Sequence, residues 1–414
     1  MIVALNNNRI GTVVKLNEKL NISHYLFLLF WIMKPFYFTE SGSMQISDFI
    51  FMLSFLVWII YQRGKIVLDK KDLYLVGFVF CTLIINGIYA AVYADIWFLR
   101  STAFYVYNIL IVMIIREFIK SKLFLKSLLW ASAFNLLLQL GVLIMGTGRY
   151  LWMGFRFMGT FNDPNQFAFS MFTSFLVVYI LSSYFKDLEK NRKKLLVLFL
   201  FGLALYFVVQ GSSTGMLLGT GTFTLLFVIT FINSENTAAF MLLRVFAITL
   251  FAALIVYALQ SGISTVNIDG SVSSGSFLLF RLFEKFDKVE GGGFMALIKD
   301  RGLDKLVQYP MYLIFGAGEG GFQRYPGSLY EVHSTLPGML FYYGIIPFMI
   351  FFKWLKFNFK GTSRIVIPAY LALLIESLTL ANQRQPVLWV IIVLASLEYA
   401  NPHELRNYRI VTKL

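Results

Sequence analysis

Apolar runs about twenty residues long, separated by short polar or charged turns, repeat along nearly the whole chain. A membrane-crossing α-helix needs roughly 20 mostly apolar residues. On that measure the pattern predicts twelve spans, at 22–38, 44–61, 72–93, 96–115, 123–145, 164–184, 195–210, 212–233, 240–259, 333–352, 365–381 and 387–400. The pattern fails over 260–332, which is predicted as one long loop. Residues 260–276 (QSGISTVNIDGSVSSGS) are rich in Ser and Gly and read as a flexible connector. Residues 277–289 put Leu279, Phe280, Leu282, Phe283 and Phe286 on one face and charges on the other, which suits a helix lying in a bilayer interface. Gly291 to Gly293 end that piece, and a second helical piece over 294–307 leads to Pro310. The expected fold is an all-α polytopic membrane protein in three parts: 1–259 with nine spans, 260–332 as the external loop, and 333–414 with three spans and a tail.

Composition agrees with the pattern. The chain is 58% hydrophobic and 14% charged, with a mean hydropathy of +0.70, whereas soluble domains are about 25% charged. A net charge of +14 would suit nucleic acid in a soluble protein. In a membrane protein, excess Lys and Arg collects in cytoplasmic loops instead. With both termini cytoplasmic, 24 of the 36 Lys and Arg fall on that side, and seven of the rest lie in the 260–332 loop. No nucleic-acid partner is expected; the bilayer is. The N-terminus has no signal-peptide core or cleavage site, so the first span reads as an uncleaved anchor. Cys81 is the sole cysteine, which excludes an internal disulfide and a Cys-based metal site, and His24, His333 and His403 are too scattered for a His metal cluster; no cofactor is expected.

Candidate chemistry concentrates between Arg301 and Gly344, which include Glu319, Arg324, Glu331 and His333. Arg281, Arg301 and Arg324 lie near lipid headgroups, and a guanidinium matches phosphate bidentately. His333 opens a span from the external side, where an imidazole can exchange a proton near neutral pH. Lys34, Asp95, Arg100 and Glu376 fall in the outer halves of their spans, and charges at that depth mark function by default. Asp95 and Arg100 also allow a structural pair. Asn382, Arg384 and Gln385 occupy the turn after span eleven and can face the same outward cavity. Asn162 or Asp163 caps span six beside Arg156, giving either a plain cap or an anion site. Gly316 to Gly321 formally matches a dinucleotide fingerprint, but it lacks the βαβ setting and reads as a tight turn that works as a hinge. Gly211, Gly215 and Gly219 recur every four residues, a stripe for close helix packing.

Several of these segments together resemble the Wzy polymerase and O-antigen ligase superfamily. They are R-F-x-G-T-F-x-D-P-N from Arg156, G-S-S-T-G from Gly211, F-G-x-G-x-G-x-F from Phe315, the His333-Ser334 span start with Tyr343-Gly344-Ile345, and N-x-R-x-P from Asn382. The resemblance covers about 150 to 390. It implies a GT-C-like, metal-independent glycosyltransferase of the bacterial inner membrane that takes its glycan from undecaprenyl diphosphate on the periplasmic face. It also implies that Arg156 and Arg281 or Arg301 hold the diphosphate, and that His333 assists the acceptor hydroxyl. Relatives often carry Ser-Arg where this chain has Ser212-Ser213, so Arg384 or Arg324 would supply the missing cation.

The expected activity is polymerisation of undecaprenyl-diphosphate-linked oligosaccharide repeat units into O-antigen, capsular or exopolysaccharide. A chain-length regulator is a possible partner. His333 and Glu376 are the expected catalytic pair, with Arg100, Arg156, Arg281, Arg301, Arg324, Asn382 and Arg384 binding diphosphate or glycan. The alternatives are an O-antigen ligase, which transfers lipid-linked glycan to lipid A core, and a flippase or transporter of lipid-linked sugars. A flippase needs cations along a cavity through both leaflets, whereas the charges here crowd one side.

Overall fold

The computed structural model describes residues 19–40, 44–64, 68–151, 156–185, 190–232, 295, 298–299, 301–321, 324–325 and 331–397. The span at 240–259, the piece at 277–289 with Arg281, most of the 260–300 stretch and the residues after 397 lie outside the described residues.

The chain is mostly helical and membrane-embedded. Helices α1 (Ile22–Met33), α2 (Ile46–Tyr61), α3 (Asp72–Tyr93), α4 (Phe98–Phe118), α5 (Lys122–Ile144), α6 (Pro164–Tyr184), α7 (Lys190–Gln210) and α8 (Thr214–Ile232) follow the predicted spans closely. Among the described residues, α3, α4, α5 and α6 are long and apolar enough to cross a membrane, and α1, α2, α7 and α8 are shorter apolar helices. Their ends follow local rules. Asn21 accepts the His24 amide at the start of α1, and Ser121 accepts the Phe124 amide at the start of α5. Asp163 accepts the Asn165 and Gln166 amides at the start of α6, where Pro164 is already preset for the first turn. Helix α6 is the hub. It is the most buried of the long helices and packs against α5, α7 and α8.

The structure departs from the predicted pattern in two places. A short antiparallel hairpin, β1 (Arg149–Leu151) with β2 (Arg156–Gly159), interrupts the all-α order between α5 and α6. The tenth span is not one helix over 333–352. It breaks into α11 (Thr335–Tyr343) and α12 (Ile345–Phe359) at Gly344, whose φ is +75°. A side chain there would collide with backbone, since a Cβ would stand 2.3 Å from the Ile314 carbonyl oxygen. The break frees carbonyls at the end of α11, and the glycine-rich segment supplies their donors. The Ala317 amide bonds to Phe341 O at 3.0 Å and the Gly318 amide to Tyr342 O at 2.8 Å. Two small helices, α9 (Asp304–Gln308) and α10 (Tyr312–Phe315), lead into that segment. The C-terminal pair is α13 (Ile367–Ser377), preceded by a 3-10 turn, and α14 (Pro386–Leu394).

Gly215 and Gly219 of the predicted stripe pack on one face of α8, whereas Gly211 lies in the turn before that helix and packs on α6, where a Cβ would stand 3.0 Å from the Pro164 carbonyl oxygen and 3.2 Å from the Ala168 Cβ. A Cβ on Gly215 would meet Thr379 and Leu380 at 2.8–3.1 Å, and one on Gly219 would meet the Glu376 Cβ at 3.0 Å and the Ala372 carbonyl at 3.2 Å. Helix α8 therefore lies backbone-close on α13 and seals Glu376 beneath it. Overpacking such a contact costs roughly 1–3 kcal/mol. Gly219→Val is expected to lower the thermal midpoint of the purified protein, and an unchanged midpoint would mean that the two helices separate freely.

One polar clasp lies away from the candidate site. The Arg116 guanidinium donates to both Asp72 carboxylate oxygens (2.9 and 3.0 Å), to Ser396 Oγ (2.6 Å) and to Asn358, tying α4 to α3, α12 and the end of α14. Trp354 Nε1 also donates to Asp72, at 2.9 Å. Each of these side chains is hydrogen-bonded within the cluster, which therefore reads as a staple.

Candidate functional site

The site begins with a turn at Arg301-Gly302. Gly302 has φ +65°, and a Cβ there would stand 3.0 Å from the Glu331 carbonyl, so the turn lies directly on the strand-like segment 331–334. That segment is held at each residue. The Val332 amide donates to Tyr342 Oη (2.7 Å), and the His333 amide to Arg301 O (2.9 Å). Ser334 Oγ reaches the Ser377 and Leu378 carbonyls at 3.2 and 2.9 Å, and the Thr335 amide reaches Leu380 O at 3.0 Å. The backbone is clamped while the His333 side chain stays exposed. Arg301 Nη1 donates to Thr379 O at 2.5 Å, which fixes the turn to the end of α13.

The centre is Glu319, which no sequence argument above assigns a role. Its side chain is fully buried. It accepts Tyr343 Oη at 2.5 Å, Tyr105 Oη at 3.3 Å and Gln383 Nε2 at 3.3 Å, and it receives Arg384 through Nε at 3.1 Å and Nη2 at 2.8 Å. Its own amide donates to Asn86 Oδ1 at 2.9 Å. The glycine-rich segment is therefore no free hinge. Pinned to the broken helix, it carries a carboxylate into the protein where α3, α4, α11 and the 378–385 turn meet.

Arg384 bridges this centre to the rim, with Nη2 donating also to Glu331 at 3.0 Å. Burial by itself would weaken its charge, but the Glu319 and Glu331 carboxylates override that and hold its pKa above the ordinary arginine value. Desolvation, then the positive charge of Arg301, press the His333 imidazole below the ordinary histidine range, even though its ring reaches solvent; Glu331 partly opposes them. The ring is thus neutral at pH 7 and able to accept a proton. Lys305, buried on α9, is also lowered by desolvation, which Asp304 and Glu331 oppose.

The other predicted residues separate. Glu376 is buried and has Asn382 Nδ2 as its hydrogen-bond partner among the described residues, so it does not orient His333. Asn382 in turn bonds through its amide to Thr335 Oγ1 at 2.9 Å. Arg156 is buried, with Nε on Gly211 O (2.9 Å) and Nη2 on Asn165 Oδ1 (3.0 Å). With Asp163 capping α6, that region is a cap and a cross-link between β2 and the α7–α8 turn. Arg324 donates to the Ala317 and Gly318 carbonyls and lies within 4.7–5.5 Å of the Tyr89, Tyr93, Phe98 and Tyr325 ring centres. It fastens the glycine segment. Arg100 stands over Trp97 and Phe104, while Asp95 accepts the Trp97 amide at 2.9 Å. Arg384 flanks the same Phe104 at 5.9 Å, so Arg100 and Arg384 share one ring. Lys34 pairs with Asp48 at 2.7 Å. Arg281 lies outside the described residues.

Of the predicted set, Arg301, His333 and Arg384 come together, with Asn382 just behind and Arg100 across Phe104. The additions are Glu319, Glu331, Lys305, Tyr105, Tyr343 and Gln383. One signal for Glu319 was available: it is the single charge within Gly316–Gly321. Among the described residues no three His, Cys, Asp or Glu side chains gather as a metal-ligand set. Comparison with protein-family models, with curated proteins and with solved structures finds no match to the chain. Fold and site together define a helical membrane protein with a cationic, His-bearing rim over a buried carboxylate.

Proposed function

We propose that the chain polymerises undecaprenyl-diphosphate-linked oligosaccharide repeat units at the outer face of the inner membrane, by glycosyl transfer from the lipid diphosphate. The observation that carries this reading is the assembly of Arg301, Glu331, His333 and Arg384 on one rim, with a neutral imidazole beside permanent cations. The excess of Lys and Arg in the loops assigned to the cytoplasm supports an external position for that rim. A diphosphate departs readily once its charge is neutralised, so guanidinium groups can stabilise the leaving group. The acceptor sugar hydroxyl loses its proton to His333 as it attacks the anomeric carbon, and the glycosyl–phosphate bond breaks with the electron pair leaving on phosphate oxygen. Arg301 and Arg384 are the proposed clamp, while Arg156, Arg324 and Glu376 act in the framework.

The deciding experiment incubates purified protein in nanodiscs with a lipid-diphosphate oligosaccharide and no ion gradient. A ladder of lengthened lipid-linked glycan is expected. Transfer only to a lipid A core acceptor would make the chain a ligase, and sugar movement without a new bond would make it a transporter. Arg301→Ala is expected to lose more activity than Arg301→Lys, because the lysine keeps charge but not the bidentate fork. Equal activity of the two variants in that assay would remove Arg301 from the clamp.

A further inference from the structure

Arg384 has two carboxylate partners of unlike standing. Glu319 is wholly buried and receives bonds from Tyr105, Tyr343, Gln383 and Arg384. That partner is fixed, and it alone neutralises the arginine. Glu331 keeps a third of its side chain exposed and has Arg384, at 3.0 Å, as its hydrogen-bond partner among the described residues. The Arg384–Glu319–Glu331 group thus carries one carboxylate more than the arginine needs. The surplus carboxylate stands where its field also reaches His333 and Lys305. Glu319 is sealed among four partners, whereas Glu331 reaches solvent and rests on one guanidinium, as a bound anion would.

We infer that the Glu331 carboxylate is a placeholder: it occupies the position on Arg384 that a phosphate-type anion takes, and it leaves when that anion arrives. The partly exposed side chain can rotate outward while Val332, His333 and Ser334 stay clamped by Tyr342, Arg301 and the end of α13. Nothing covalent changes; one anion replaces another on the same guanidinium. The identity of the anion as a lipid diphosphate rests on the function proposed above, but its displacement of Glu331 does not require glycan transfer.

The test is calorimetric binding of inorganic pyrophosphate to the full-length purified protein at fixed ionic strength. Removing a like charge from the binding position should tighten binding by about tenfold in Glu331→Gln. Glu331→Asp, which keeps the charge, should stay within about twofold of the parent. Unchanged or weaker binding by Glu331→Gln overturns the placeholder, as does equal tightening by both variants. A role for Glu331 as base or as orienter of His333 would lower turnover in Glu331→Gln without tightening the anion, which also overturns it. Displacement of pyrophosphate by nanodiscs holding a polyprenyl diphosphate, but not by nanodiscs of phosphatidylglycerol, assigns the anion to the lipid-linked substrate; the reverse assigns it to a bilayer headgroup. Tight binding in Glu331→Gln without any glycan product would sink the polymerase reading and leave the placeholder standing.

Discussion

Glu319→Ala is expected to destabilise the protein by roughly 3–5 kcal/mol, the cost of stripping one partner from a buried ion pair. The alanine leaves Arg384 without its inner carboxylate, and it leaves the Tyr105 and Tyr343 hydroxyls without the acceptor they share. Unsatisfied buried donors carry their full desolvation cost, whereas a hydrogen bond exchanged with water nets little. Glu319→Gln should fall between, since the amide oxygen still accepts from the hydroxyls while the charge is gone. Thermal midpoints of the three purified proteins in one detergent decide the matter. Equal midpoints for parent and alanine variant would mean that the network contributes no stability, and the site would then need another organiser.

His333→Ala is expected to behave in the opposite way, folding normally and losing turnover by about 10²–10⁴-fold, the range for removing a general base. Its backbone amide, which the substitution keeps, makes the structural bond to Arg301, and its side chain is exposed. The pH profile separates this role from a merely structural one. A base works only when deprotonated, and this imidazole titrates below its ordinary value of 6.5 because of desolvation and then Arg301. Turnover should therefore persist as pH falls through 6.5 and decline only below it. That acid limb should be missing from the residual activity of His333→Ala. Parental glycan ladders from the variant, or an acid limb that survives it, would exclude His333 from the chemistry.

Much of the helix framework was legible because each long span satisfies itself. A run such as 164–184 bonds its own backbone internally, and Asp163-Pro164 marks its start, so length, apolarity and one cap suffice. The close packing of Gly215 and Gly219 was equally readable, since spacing by four places small residues on one helix face; Gly211, by contrast, falls in the turn before α8 and meets α6. The tenth span misled because apolarity is continuous across Gly344. The break depends on Ile314, Gly316 and Ala317, some thirty residues earlier, which occupy the space and supply the amides that a broken helix requires. Hairpin β1–β2 was missed for a similar reason: three and four residues are too few to show a period of two.

The sequence by itself determined that this is a helical membrane protein, where most helices start and stop, and which segment concentrates ionisable groups. Those properties follow from local composition, spacing and capping. Only the tertiary structure decided which charges meet. Arg156 and Arg324 look from sequence like Arg384, yet Arg156 is bound to the Gly211 carbonyl and the Asn165 side chain, Arg324 to two carbonyls and a ring of aromatic side chains, and Arg384 spans a buried and a partly exposed carboxylate. Glu376 and Glu319 look alike as well, but α8 seals one against α13 while the broken helix at Gly344 brings the other to Arg384. An ion pair joins residues 65 positions apart in the chain, and no local pattern encodes a contact made by folding.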